Sequence, residues 1–416
     1  MSADTPATSA PTPEILTRVK PRWIVAFVLA MVGVAAGWFG PLQILLPAQA
    51  AALESAGVPK EAILAVVTGI GAAASMVANP LWGAISDRTR SRWGRRRPIL
   101  VVGTAMGSVG MVILAVAPDP VWMAVGWVTV QIGLNGPFAA LAAVIADRVP
   151  DAQRGLVGAL FGVAQTIGVV LGTAIAVLLG EGSLGYAALA IAVPALVLSF
   201  AIVHHEPPTT DTVTSSSGRP MRTFVAGLRP TAHFSWMWAI RFLMNLANAL
   251  VLLYMYYYLT DGVGLFDAGE WVLIITLVNV VVTVAVASLF GPLSDRWGRR
   301  LPFVASAAII VAAGSLLLAF FPALPVVLLA ASLIGIGWGL YIAVELAIIT
   351  STLRADSTYA TMLGLSNIAA SLPQVLAPVV AAPIVLLWGG YTGLYGAAAI
   401  ASLLALACVP ALRSRP

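Results

Sequence analysis

Two ionisable residues stand in stretches otherwise too apolar to hold a charge: Arg241 in WMWAIRFLMNLANAL and Glu345 in GLYIAVELAII. A charge at the centre of a membrane costs a few kcal/mol or more and persists beside a partner or a water-filled cavity. The two can pair, because their expected depths differ by roughly 6 Å at 1.5 Å per residue. Two chemistries fit such a pair. Glu345 gains and loses a proton while Arg241 holds it in the charged form between exchanges, or the pair is a permanent salt bridge bracing its part of the chain. Around them Trp238, Asn245 and Asn248 follow helical spacing, as do Trp338 and Tyr341 ahead of Glu345, so each segment carries one polar face.

A second set of residues could hold a hydroxylated solute, which needs donors, acceptors and flat apolar faces. These are Trp38, Gln43, Gln131, Asn135, Gln165, Asn245, Asn248, Tyr256, Asn279, Trp338, Tyr341, Asn367 and Gln374. Each also has a purely structural reading, since a buried amide often only bonds a neighbouring helix. Tyr254, Tyr256, Tyr257 and Tyr258 together read as an aromatic belt at a membrane interface. Catalytic patterns are lacking. His204 and His205 read as helix-end residues, capping or lipid-facing rather than metal-binding, His233 is isolated, and one cysteine, Cys408, allows no disulfide. Serines lack a nearby His and acid, and a Gly-rich phosphate loop with its Lys is missing, so gradient energy rather than ATP is expected. The expectation is a protein that is not an enzyme, with no metal, no cofactor and no nucleic-acid partner.

The elements that position these residues follow from composition. Of 416 residues 60% are hydrophobic and 9% charged, with a mean hydropathy of +0.96, which excludes a water-soluble exterior. A crossing takes about 20 apolar residues, and the pattern predicts twelve, near 22–47, 61–86, 98–117, 121–146, 155–180, 184–204, 232–259, 270–293, 301–321, 324–350, 360–387 and 390–411. Runs such as LIITLVNVVVTVAVASLF are apolar all round, unlike the alternation of a membrane β-barrel. Loop charges set the orientation, because Lys and Arg near span ends stay in the cytoplasm. With both termini inside, 20 of the 22 Lys and Arg fall on that side, Lys60 alone falls outside, and Arg241 lies within a span. Glu54, Glu61, Asp119, Glu181, Asp261, Asp267 and Glu270 fall outside with Lys60. The net charge of +5 suits anionic headgroups of a cell membrane, plasma or inner.

An internal repeat divides the chain. Gly83-Ala-Ile-Ser-Asp87-Arg88 recurs 208 residues later as Gly291-Pro-Leu-Ser-Asp295-Arg296, and both copies continue into Arg-Trp-Gly-Arg-Arg, ending at Arg95–Arg96 and Arg299–Arg300. Span 5, with Gly158, Gln165, Gly168 and Gly172, aligns with span 11, with Gly364, Ser371, Gln374 and Pro378. The expected organisation is a disordered cytoplasmic tail at 1–21, a six-helix bundle at 22–204, a polar linker at 205–230, a second bundle at 231–411 and a short tail at 412–416. Pro41, Pro47, Pro137, Pro373, Pro378 and Pro383 interrupt helices where bending is expected.

Six plus six helices with this loop in each half resemble the major facilitator superfamily, over essentially residues 22–411. The resemblance implies an all-α fold of two pseudo-symmetric six-helix bundles and alternating access, the halves rocking about a midplane site. It also implies that the loops latch the halves together when the site faces outward. Gly83, Asp87, Arg88, Arg95, Arg96, Gly291, Asp295, Arg296, Arg299 and Arg300 would form that latch, with Asp147 and Arg154 beside it. The run Ser86 to Pro98, ending Arg-Arg-Arg-Pro, and Asp147 to Gly155 are similar to the sucrose-transporter and glycoside-pentoside-hexuronide symporter group, as is Gly37-Trp38 followed by Gln43, Pro47 and Gln49. The resemblance implies a monomer among membrane lipids that imports a sugar or glycoside with a proton or monovalent cation. Departures lie inside the membrane. Span 4 has Ala139, Ala140, Ala142 and Ala143 where sucrose transporters carry an arginine, and Gly69 to Asn79 has no acids where melibiose-type symporters have two. Proton-coupled export of hydrophobic drugs or metabolites is the alternative, and a receptor with this fold but no flux is a third.

Overall fold

The computed structural model describes residues 18–54, 57–205, 231–352 and 359–412, without the side chains of 151, 295, 346, 350–352 and 359–364. Residues 1–17 of the expected tail at 1–21, most of the linker and the last four residues lie outside the described residues.

Twelve helices are long and apolar enough to cross a membrane. They are α1 Pro21–Ala52, α2 Lys60–Arg88, α3 Arg97–Val116, α4 Pro120–Arg148, α5 Asp151–Leu179, α6 Ser183–Val203, α7 Ala232–Leu253, α8 Ala268–Trp297, α9 Leu301–Phe320, α10 Leu324–Thr352, α11 Tyr359–Leu387 and α12 Gly390–Cys408. Proline supplies the first turn of α1, α3, α4 and α9, where its missing N–H costs nothing. Asp119 caps α4 by accepting from the Val121 and Trp122 N–H groups, and Thr231 caps α7 through Phe234 N–H. Regular helix in α7 ends at Leu253, earlier than the sequence suggests, and after Tyr254 the chain continues in a short helical turn and a π-turn, Tyr258–Gly262. Gly298 closes α8 in a left-handed conformation, φ +63°, that a side chain would strain.

Helices within each half are drawn together by small residues, since lipid is as apolar as their side chains and close backbone approach supplies the attraction. A Cβ added at Gly133 of α4 would overlap the Gly107 nitrogen of α3, and one at Gly172 of α5 would overlap the Ala36 carbonyl of α1. Gly335 and Gly339 of α10 seat likewise against the Asn279 and Thr283 carbonyls of α8. Side-chain bonds lock the same pairs. Asn135 of α4 donates to Ser75 Oγ of α2 at 2.8 Å and accepts from Asn79 at 3.2 Å, while Asn279 donates to Ala331 O at 3.1 Å.

The two bundles, α1–α6 and α7–α12, meet through α2 against α11 and α5 against α8. Their apolar cores are joined at one end only. The core of the first bundle continues into Leu250, Tyr254, Val272, Leu318 and Tyr395 of the second. The other end of the second bundle keeps a separate core around Phe234, Met244, Phe303, Tyr341 and Ile348. That end carries the arginine-rich loops and is here the basic face; the joined end, with Lys60, is the opposite face.

Gly133→Val should force α3 and α4 apart and cost about 1–3 kcal/mol, read as a lower thermal midpoint in detergent. An unchanged midpoint would contradict this packing.

Candidate functional site

On the basic face one guanidinium gathers three helix ends. Arg96, at the start of α3, donates from Nε to Asp147 Oδ2 at 2.9 Å and from Nη1 to Asp87 Oδ1 and Ser86 Oγ, both at 2.8 Å. Its Nη2 lies 2.8 Å from Asp147, with Arg95 at 3.7 Å from the same acid. Burial opposes its charge, but Asp147 and Asp87 outweigh that and hold the group above its usual pKa. Arg154 caps the end of α4 through Val149 O at 3.0 Å and Ala146 O at 3.2 Å, and Arg300 donates to Ala347 O at 2.8 Å, the sites that a helix dipole favours for cations. Arg88, Arg296 and Arg299 are exposed, and a Cβ at Gly83 or Gly291 would meet nothing within 4 Å. Of the residues expected to form a latch in the first half, Asp87, Arg96 and Asp147 clamp their own half. The Asp295 side chain lies outside the described residues.

Arg241 and Glu345 do meet. Arg241 Nε is 3.5 Å from Glu345 Oε1 and Nη1 donates to Ser366 Oγ of α11 at 3.3 Å, while Tyr341 OH donates to Glu345 Oε1 at 3.0 Å. Trp338 packs against Tyr341 with ring centroids 5.3 Å apart. The pair borders a small crevice of about 10 Å³, room for about one water, among α7, α9 and α10, lined by Met237, Ile240, Val304 and Ile348. It lies inside the second bundle. Arg241 Nε makes no hydrogen bond.

The amides divide by what they already bond. Asn135 is engaged with α2, Asn279 with α10, and Asn245 with its own turn through Arg241 O at 2.8 Å. Trp238 donates to Leu365 O of α11 at 2.9 Å. Gln131, Gln165, Asn248, Asn367 and Gln374 make no side-chain hydrogen bond to a described residue and keep their groups for a ligand or water. Trp38 packs on Phe138 at 5.4 Å with its N–H unbonded. Gln43 is buried beneath the opposite face, accepting from Thr173 and Thr276.

The opposite face holds a bonded cluster that, apart from Tyr256, the spacing did not single out. Lys60 of α2 pairs with Asp261 at 2.8 Å and stands 5.0 Å from the centre of the Tyr257 ring. Tyr391 OH donates to Asp261 Oδ2 at 2.7 Å and lies 3.4 Å from Glu61 Oε1. Tyr254 and Tyr257 donate to the carbonyls of Glu61 and Pro47, both at 2.9 Å, and Tyr256 bonds Glu181. All these bonds except that of Tyr391 with Asp261 run from one bundle to the other. Lys60, the one basic residue among external acids, was the available signal. The tyrosine cluster is corrected here: Tyr254, Tyr257 and Tyr258 are at most 2% exposed, so they seal an interface rather than forming a lipid belt. His204 caps the end of α6, its N–H donating to Phe200 O, but it does not face lipid, for it is buried and its Nδ1 accepts from Trp23 Nε1 at 3.0 Å. For Asp261, burial pushes the carboxyl up, but Lys60, Tyr391 and Thr260 together hold it below its ordinary value.

Among the described residues, every side-chain hydrogen bond between the bundles lies at the opposite face or between that face and mid-depth, where Gln43 meets Thr276. Toward the basic face α5 exposes two stripes. One is large and apolar, Leu156, Val163 and Ile167, as lipid requires. The other is Gly155, Gly158 and Gly162, with nothing within 4 Å of an added Cβ. The bundles part there.

A family model described as Major Facilitator Superfamily matches residues 25–289 and 266–416. Sucrose transport protein SUC4 of Arabidopsis thaliana is 29% identical over 120 residues, 28% of this chain and 22% of the relative. A general alpha-glucoside permease of Schizosaccharomyces pombe is 24% identical over 184 residues, 39% of this chain and 32% of the relative. Both matches therefore span a third or less of those relatives. Among solved structures, the nucleoside transporter NupG (D323A mutant) superposes with a TM-score of 0.77 at 12% identity, covering 94% of this chain and 100% of that one.

Lys60→Cys with Asp261→Cys should form a disulfide across the opposite face under mild oxidation and arrest the protein until reduced. Acid should loosen the same face. Because the Asp261 pKa is lowered when the face is closed, its contribution is full above the ordinary carboxylate value of about 3.9 and is lost as pH falls below it. Amide protection of residues 254–262 should drop in that window in the parent, whereas Asp261→Asn should lack the acid-dependent step.

Proposed function

Because the chain belongs to the Major Facilitator Superfamily, we propose that it is a secondary active transporter carrying a sugar or glycoside across the cell membrane with a proton or cation. The observation that carries this reading is the one-ended joining of the two cores: the bundles share a dry core at the opposite face and part toward the basic face. That is one end state of a protein whose passage opens to each side in turn. The excess of arginine assigns the basic face, with both termini, to the cytoplasm. The two curated relatives, named for sucrose and alpha-glucoside, and the unbonded amides Gln131, Gln165, Asn248, Asn367 and Gln374 support a hydroxylated solute. A monomer has every helix needed for such a passage.

Within this reading Glu345 carries the coupling proton. Its contact with Arg241 is loose, 3.5 Å with the guanidinium Nε otherwise unbonded, whereas the Arg96 clamp closes at 2.8–2.9 Å on two acids. A brace favours the second geometry; a pair that must separate and reform favours the first.

Proteoliposomes given radiolabelled sucrose or maltose with an imposed pH gradient should show saturable uptake that an uncoupler collapses. Glu345→Gln should retain solute exchange and lose gradient-driven accumulation. Uphill accumulation that survives in Arg241→Gln/Glu345→Gln would return the pair to a bracing role.

A further inference from the structure

Helix α1 changes pitch over Pro41–Leu45, where the Leu46 N–H reaches back five residues to Pro41 O. A π-turn of this kind puts an extra residue into the ladder and is concentrated at functional sites. Pro41 and Pro47 bracket it, and each lacks the N–H that would serve the carbonyl one turn earlier. Gln43 stands in the middle. Its Oε1 accepts from Thr173 Oγ1 of α5 at 2.9 Å and from Thr276 Oγ1 of α8 at 3.1 Å. A carbonyl oxygen has two acceptor positions, and here each bundle occupies one.

The two hydroxyls are not equivalent. Thr173 Oγ1 is also 2.8 Å from Val169 O, so its hydrogen has a place within α5 when Gln43 turns away. Thr276 has Gln43 as its one bonding partner. The two N–H bonds of Gln43 Nε2 are unused by the protein. At 1.5 Å per residue, Gln43 lies roughly 14 Å below Ala52 and Thr276 about 12 Å below Ala268. That is near the midplane of a hydrocarbon layer of about 30 Å, the level at which transporters of this architecture hold solutes.

We propose that Gln43 senses the solute and that Thr276 passes its presence to the other bundle. This rests on the transporter reading above. A hydroxyl or ring oxygen of the solute accepts from Nε2 and fixes the plane of the carboxamide. With the plane fixed, Oε1 is held toward Thr276, and the occupied protein closes its opposite face. Empty, the carboxamide still reaches Thr276 but is free to turn, so the cross-bundle bond holds the face closed less firmly than in the occupied protein. The solute thereby binds the closed arrangement better than the open one, which is the condition for shifting that equilibrium. Thr276 is a positioning residue that does not touch solute.

The test uses the full chain in proteoliposomes with radiolabelled sucrose as the probe. Thr276→Val should bind sucrose within about twofold of the parent while turnover falls about tenfold, and Thr276→Ser should restore it. Turnover in Thr276→Val equal to the parent, or loss of binding together with turnover, overturns the proposal. A second readout needs no solute. In a Cys408→Ser background, Gly158→Cys should be labelled by an impermeant maleimide from the basic side, and adding Thr276→Val should slow that labelling by freeing the opposite face to open. Unchanged labelling overturns the joint whatever the solute. A parent that takes up no sucrose but shows the slowed labelling upholds the joint and overturns the sugar assignment.

Discussion

The seam between the bundles is closed at one end largely by tyrosine and threonine hydroxyls donating to carbonyl and carboxylate oxygens of the other bundle. The choice of bond decides what the molecule can do. A hydroxyl-to-carbonyl bond nets only about 0.5–1.5 kcal/mol, because water replaces either partner when the two part. The partly exposed Lys60–Asp261 pair adds little more. These exchangeable bonds lie over the apolar core that the bundles share at the same face, so opening it trades hydroxyl bonds for water and exposes the apolar contacts beneath.

Inside each bundle the devices are of the opposite kind. Glycines of α4, α5 and α10 let backbones touch, so separating those helices would open voids. Asn135 and Asn279 bond across neighbouring helices where no water waits to replace them, and Arg96 holds three helix ends with a buried fork. Under the proposed alternation, rigid bundles on an exchangeable seam would move as two bodies. The seam's inner layer, Gln43 with its two threonines, is also where a solute's own hydrogen bonds can enter the balance, so binding and motion share residues.

The helix count and the paired arginine-rich stretches were legible in the sequence because each rests on a local signal: a long apolar run, a repeated motif, a charge. Arg241 with Glu345 was legible for the same reason, as charges conspicuous in apolar surroundings. Which face of each helix meets the other bundle was not. Helices such as α8 and α9 are apolar nearly all round, so no period marks a face. A tyrosine suits a lipid interface as well as a sealed joint, which is why Tyr254, Tyr257 and Tyr258 read as a belt. Asn135 and Gln131 are alike in sequence and separated only by whether α2 comes within bonding distance. Thr276 gave no signal, because a threonine in an apolar helix ordinarily bonds its own preceding turn.

The central claim is that the bundles close one face as they open the other. Pulsed dipolar distances on spin-labelled protein in lipid nanodiscs test it most directly, with one label pair at Gly57 and Phe266 on the opposite face and another at Arg90 and Trp297 on the basic face. Two populations should appear whose changes oppose each other, the first distance lengthening where the second shortens, with solute and pH altering both by the same fraction. A single fixed distance at both faces, or two distances that lengthen together, would contradict the account.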